Sequence, residues 1–315
     1  MSTPAQAAGH RPRTRQIGPY TVITRLDDKH TGPGTAVPEH RFIARGPDGD
    51  RTVLLSTPLP AVDARRFMAE AEASRYLLGP WSSPATELAP PGDRPWHARP
   101  YVPALSLPTA LAVHGGPLPE HTVRALGVAL AETLAVLHGQ QLSHAGLCPA
   151  AVLLTADGPR LTCYGAVRAA APEGAPRHDA PGLDPGSLPP EQAAGGRPRP
   201  LGDVYALGAT LAYAATGYTA PERGELPPSL RSLVPRCLAR DPAHRPQLAE
   251  IAEELASPGT PSPTGQEPAT RAESLLGPGW LPARIVAALA HQSAAVLAAE
   301  TEPPAPGTAA SRHHP

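Results

Sequence analysis

The chain has 315 residues, 41 % of them apolar, with 44 prolines, 29 glycines and a formal net charge of -1. Charge so close to balance gives no field to gather DNA, RNA or anionic lipid, so no nucleic-acid partner is expected, and no run approaches the ~18 apolar residues of a membrane span. Cys148, Cys163 and Cys237 form no CxxC pair, and with no signal-peptide core at the N-terminus they point to a reducing, cytoplasmic setting.

Residues 1–16 are polar and aperiodic and are expected to be a disordered tail. From Tyr20 the pieces Tyr20–Ile23, Arg41–Ala44 and Thr52–Leu55 are separated by Gly, Pro and Asp turns, including Asp48-Gly49, which predicts a β-meander. A helix over Arg65–Leu78 should follow, with Phe67, Ala71, Ser74 and Leu78 on one face.

The second half turns helical. Pro119-Glu120 opens a helix in which Val123, Leu126, Leu130, Leu134 and Leu137 recur at helical spacing up to Gly139. Ala151–Leu154 and Arg160–Thr162 flank an Asp157-Gly158 turn and predict a hairpin. Val204–Thr216 is apolar nearly all round, the pattern of a buried helix, and Gly217 closes it. Helices are predicted over Ser229–Arg240, kinked at Pro235, and over Pro246–Ala256. Residues 257–274 form a Pro-rich linker, 275–300 a C-terminal helix striped by Ile285, Val286, Leu289, Val296 and Leu297 and interrupted at Ser293, and 301–315 a tail. The stripe, with Trp280, must either dock back on the helical half or bind a protein partner.

Motifs in this order carry a resemblance. His144-Ala145-Gly146-Leu147-Cys148-Pro149-Ala150-Ala151-Val152-Leu153-Leu154 resembles the catalytic loop H-R-D-L-K-P-x-N-V-L-L of protein kinases, and Leu161–Gly165 resembles the stretch ending in D-F-G. Pro189-Pro190-Glu191-Gln192 resembles A-P-E-Q, Asp203–Gly208 resembles D-V-[YF]-S-L-G, and Arg236–Pro246 resembles R-C-L-x-x-D-P-x-x-R-P. The likeness is to actinobacterial Hanks-type Ser/Thr protein kinases and covers residues 17–256. It implies an α+β, kinase-like bilobal fold: a small β-rich N-lobe with one main helix (17–100) and a larger helical C-lobe (104–256).

Kinase chemistry is positioning and charge stabilisation by a strand lysine on the phosphates, a catalytic-loop Asp, and an Asn and an Asp on magnesium. By alignment these fall at Ser56, Gly146, Ala151 and Cys163, while the loop's Arg and Lys fall at Ala145 and Cys148. The chain contains no asparagine and one lysine, Lys29. The expectation is a degenerate, pseudokinase member that is not an enzyme, with no metal site, working as a scaffold or regulator of a protein partner. Alternatives are a divergent kinase recruiting Lys29 and an acid such as Asp179 or Asp184, or a sensor binding ATP without transfer. Weak nucleotide candidates are Lys29, Gly32, Gly34 and Glu70. The resemblance gives Glu191, Asp203 and Arg245 fold-holding roles, the Glu191–Arg245 pair being buried and Asp203 capping the central helix while bracing the catalytic loop. Cys148, Cys163 and His144 are read as core filler rather than as a redox or metal site.

Overall fold

The computed structural model describes residues 15–26, 34–256 and 270–300. Its first lobe is a six-stranded antiparallel sheet, β1 (Gln16–Ile17), β2 (Tyr20–Arg25), β3 (Glu39–Arg45), β4 (Thr52–Pro58), β5 (Glu87–Leu88) and β6 (His97–Pro100), in the order β1-β2-β3-β4-β6-β5. Period-two alternation splits this sheet into two faces. Phe42, Ala44, Val53 and Leu55 pack with Tyr20, Trp96 and Ala98 on one side, whereas Ile43 and Leu54 face the other way, with Leu26 and Leu153. The Asp48-Gly49 turn closes β3 on β4, with Gly49 at φ +78.

Helix α1 (Ala64–Ser74) starts at Asp63, whose carboxylate accepts from the Arg66 N–H at 2.9 Å. It stops at Ser74, four residues before the expected Leu78, which is 66 % exposed. The Ser74 hydroxyl accepts from the Ala85 N–H, tying the helix end to the chain leading into β5.

A connector from Tyr101 to Ala104 leads to the second lobe. Strands β7 (Leu105–Ser106), β8 (Val152–Thr155) and β9 (Gly158–Leu161) form a small sheet beside α2 (Leu107–His114) and α3 (Glu120–Gly139). Val123, Leu126, Leu130, Leu134 and Leu137 of α3 are fully buried, each contributing roughly 1.5–3 kcal/mol. Among the described residues α3 is the one helix long and apolar enough to cross a membrane, and it is mostly buried in the protein.

Helices α4 (Ala166–Ala170) and α5 (Pro190–Ala193) bracket the segment after β9, and α6 (Pro200–Thr216), α7 (Leu233–Cys237) and α8 (Leu248–Ala256) complete the lobe. The helix expected over Ser229–Arg240 is a 3-10 turn at Pro228–Leu230 followed by α7. Pro235 lies in the first turn of α7, where its missing N–H leaves no intrahelical bond unmade, so no kink results.

The C-terminal helix is likewise shorter than 275–300. Arg271–Leu275 forms a separate turn, α9, and α10 (Ala283–Glu300) begins after Gly277, Pro278, Gly279 and Pro282. Trp280 between them is buried: its carbonyl accepts from Thr122 Oγ1 at 2.6 Å and its indole N–H donates to the Ala156 carbonyl at 2.8 Å. The fold is thus mixed α+β and bilobal, and α10 docks on the protein itself, against α2 and the connector.

Candidate functional site: the cleft between the lobes

The loop from His144 to Ala151 keeps a particular backbone although its side chains are small. Ala145 and Cys163 sit at φ +51 and +61, a region that costs a non-glycine residue of order 1–3 kcal/mol. At Ala145 the Asp203 carboxylate offsets that cost: its Oδ1 accepts from the Ala145 N–H at 2.8 Å, and its Oδ2 accepts from the His144 N–H at 2.7 Å. His138 Nε2 approaches the same Oδ2 at 2.9 Å. Asp203 therefore braces the loop, but it lies inside the first turn of α6 and does not cap it; the cap position is Arg199.

The other retained pair, Arg245 and Glu191, is bidentate at 2.7 and 2.9 Å. Its guanidinium is fully buried and also donates to the Ala239 and Leu201 carbonyls, while the Glu191 side chain is 34 % exposed, so the pair is half-buried.

Gly146 has become a packing point. A Cβ there would lie 1.9 Å from the Cys163 carbonyl oxygen, so the loop and the start of the next segment touch backbone to backbone. Cys148, Ala150, Ala151, Cys163 and Ala166 then form one apolar cluster, joined by Val37 from the chain entering β3. Burial pushes the Cys148 thiol up to about 12 and the Cys163 thiol well above its ordinary value. His144 packs edge-on against Tyr164 at 5.7 Å, and burial takes its imidazole down to about 4.

Ser56 is fully buried, and its hydroxyl has no hydrogen-bond partner. Directly across the ladder stands Arg41. It is 1 % exposed and donates from Nη1 to the Ala150 carbonyl at 2.8 Å. A cation thus reaches the catalytic-loop counterpart from the strand next to the one that carries it in kinases.

Around it lie Glu39, His97 and Arg99, all buried. Arg99 Nη2 donates to His97 Nδ1 at 3.3 Å, leaving His97 Nε2 to donate to Glu39 Oε2 at 3.3 Å. Burial holds His97 below its ordinary value. For Glu39 burial pushes upward, but the His97 hydrogen bond and the charges of Arg99 and Arg41 outweigh it and bring the carboxyl to about 2.

Glu70, one of the weak nucleotide candidates, is held by Arg168 of α4, whose Nε and Nη2 donate to the carboxylate at 2.8–2.9 Å. Burial alone would lower the Arg168 guanidinium, but the Glu70 contact raises it overall.

Asp184 lines one small cavity with Gly146, Cys148 and Ser187. Its carboxylate accepts from the Gly34 N–H at 3.2 Å and from Ser187 Oγ at 2.6 Å. Gly34 therefore points its N–H at a carboxylate. Asp179 is exposed. Lys29 and Gly32 lie outside the described residues.

At the connector end Leu26, Ile43, Leu54, Ala104 and Leu153 enclose Val296 of α10. Gln292, one turn earlier, accepts from the Tyr101 hydroxyl at 2.9 Å and the Ala104 N–H at 2.8 Å, and donates to the Ala104 carbonyl at 3.0 Å.

Val37 thus packs with the catalytic-loop counterpart and Val296 with the connector cluster, Glu39 is paired with His97, and among the described residues no group of three or more His, Cys, Asp or Glu side chains converges on a point.

Of these groups, sequence reasoning missed Val37, Glu39, Arg41, His97, Arg99, Arg168 and Gln292. A signal existed for Arg41: with Phe42 and Ala44 facing the outer core, period two puts Arg41 and Ile43 on the cleft face together.

The two lobes, the braced loop and the Glu191–Arg245 pair define a protein of the kinase class. Comparison with known proteins agrees. No family model matches the chain. It is 34 % identical over 270 residues to the probable serine/threonine-protein kinase PkwA of Thermomonospora curvata, covering 78 % of this chain and 35 % of that protein. It is 30 % identical over 273 residues to the serine/threonine-protein kinase AfsK of Streptomyces coelicolor, covering 80 % and 33 %. It is also 34 % identical over 242 residues to the serine/threonine-protein kinase PknK of Mycobacterium tuberculosis, covering 66 % and 21 %. The chain belongs to the Hanks-type Ser/Thr protein kinase family of actinobacteria. It spans about a third or less of the length of these relatives.

The expectation that the chain is not an enzyme is corrected by these relatives. Each is named a serine/threonine-protein kinase, so the family is enzymatic, and loss of the usual side chains does not by itself remove this member from it.

Proposed function

We propose that this chain is a divergent Ser/Thr kinase-like signalling module whose working state is reached by opening the cleft between its lobes. Protein phosphorylation on Ser or Thr is the activity that the names of its relatives support. The observation that carries the reading is the displaced pair of charges. Arg41 stands one strand away from Ser56, and Asp184 lines the cavity beside Gly146. ATP is the phosphoryl donor this reading implies, and three free, buried thiols suit a cytoplasmic protein.

A second reading, a kinase-fold scaffold or regulator acting on a protein partner by contact, is favoured by the Gly146–Cys163 packing and by Val37 packed on the catalytic-loop counterpart. One experiment separates them. The purified 315-residue chain is incubated with radiolabelled ATP and magnesium or manganese, beside Arg41→Met and Asp184→Asn. Label on a serine or threonine that disappears in both variants supports transfer. Label that persists in both comes from a contaminant, and no label in any protein favours the contact reading.

A further inference from the structure

The cleft of a two-lobed protein is where ligands enter, and in this chain its connector side is already occupied. Leu54 is two residues before Ser56 on β4 and Leu153 two residues after Ala151 on β8, so the apolar cluster they share with Leu26, Ile43 and Ala104 adjoins the positions that carry the charged groups described above. Val296 belongs to that cluster and is 4 % exposed. The Ala104 N–H and C=O, which an entering ligand would have to engage or bypass, are both satisfied by the single amide of Gln292.

Gln292 and Val296 fall on the same α10 stripe as Ile285 and Leu289, which are buried against the second lobe. One face of one helix therefore carries both the anchor and the plug. The anchor is apolar, whereas the latch is an amide that water can replace at small net cost, because protein–water hydrogen bonds are exchanged for protein–protein ones.

We propose that α10 is an intramolecular stand-in ligand: Val296 and Gln292 close the connector side of the cleft, and a purine-type ligand gains access only when the C-terminal half of α10 lifts away. This rests on reading the cleft as a nucleotide site, and the test keeps the two apart.

Amide hydrogen exchange is measured on the full chain for wild type, Gln292→Ala, Val296→Asp and, as a control, Val286→Asp, whose side chain is 48 % exposed on the outer face of α10. Thermal shifts with adenosine, and with ATP with and without magnesium, are measured on the same proteins. Exchange at the Ala104 amide and over residues 289–297 should rise at least tenfold in the first two variants, with α3 and the control unchanged. Unchanged exchange at Ala104 in both variants overturns the proposal. So does a wild-type shift with ATP or adenosine in which α10 stays as protected as before. If Ala104 opens in the variants and neither ligand shifts them, the plug stands and the nucleotide reading falls.

Discussion

Arg41 and Ser56 pair across β3 and β4 and are both buried, and the Ser56 hydroxyl takes the position aligned with the strand lysine. That hydroxyl lacks a partner. Ser56→Ala should be neutral or stabilise by up to about 1 kcal/mol, because an orphaned buried polar group is removed. Ser56→Lys adds a cation next to Arg41 in a buried space and should cost about 3 kcal/mol or more. Urea denaturation of both variants measures the contrast; a Lys variant as stable as wild type would disprove the crowding.

Restoring an acid to the catalytic loop is not a local change. A Cβ at residue 146 meets the Cys163 carbonyl, so Gly146→Ala should destabilise by about 1–3 kcal/mol through overpacking, and Gly146→Asp by more. The midpoint of chemical unfolding, with circular dichroism to confirm the fold, tests this order.

Glu70 and Arg168 join α1 to the segment after β9 through three donor–acceptor contacts in a half-buried setting. Removing either side chain should cost about 1.5–3 kcal/mol, as for hydrogen bonds to charged groups. A double-mutant cycle of Glu70→Gln and Arg168→Met should return a coupling within the ~0.5–3 kcal/mol range of residues in direct contact. Strict additivity would show the two to be independent.

Stability should fall on the acid side in a predictable window. His144 titrates near 4 in the fold against an ordinary 6.5, so below pH 6.5 the unfolded chain takes up a proton that the native state refuses. The loss grows until about pH 4 and then levels off, at on the order of 3 kcal/mol. His97, also lowered, adds in the same direction. Glu39, lowered from 4.5 to about 2, contributes stability present above pH 4.5 and lost on descending towards pH 2. Unfolding free energies measured at intervals between pH 7 and 4 should show this slope, and a non-titrating His144→Leu should flatten part of it.

The motif order that announces the family also places the braced loop, because Asp203 and the His144–Ala151 run keep their spacing. Long apolar patterns located α3 and α6, and Asp157-Gly158 located the β8–β9 turn. The two-residue strands β1, β5 and β7 carry no period to read, and the linker's Pro and Gly residues gave no sign that Arg271–Leu275 forms a helical turn. The contents of the cleft were hidden for a different reason. Glu39, His97 and Arg99 have the polarity of surface residues, and only the tertiary arrangement brings them together in the interior. Gln292 is equally opaque, since it is one more polar residue beside the Ser293 break in the stripe until Ala104 is seen beside it.

The burial of all three cysteines turns them into internal clocks. Cys148 and Cys163 lie where the lobes meet, whereas Cys237 lies in the second lobe's core, and burial raises all three thiols, so the reactive thiolate is scarce at neutral pH. Alkylation must then wait for the structure to part. A reagent that marks the first two sulfurs while sparing the third reports separation of the lobes, and equal marking of all three reports melting of the whole molecule.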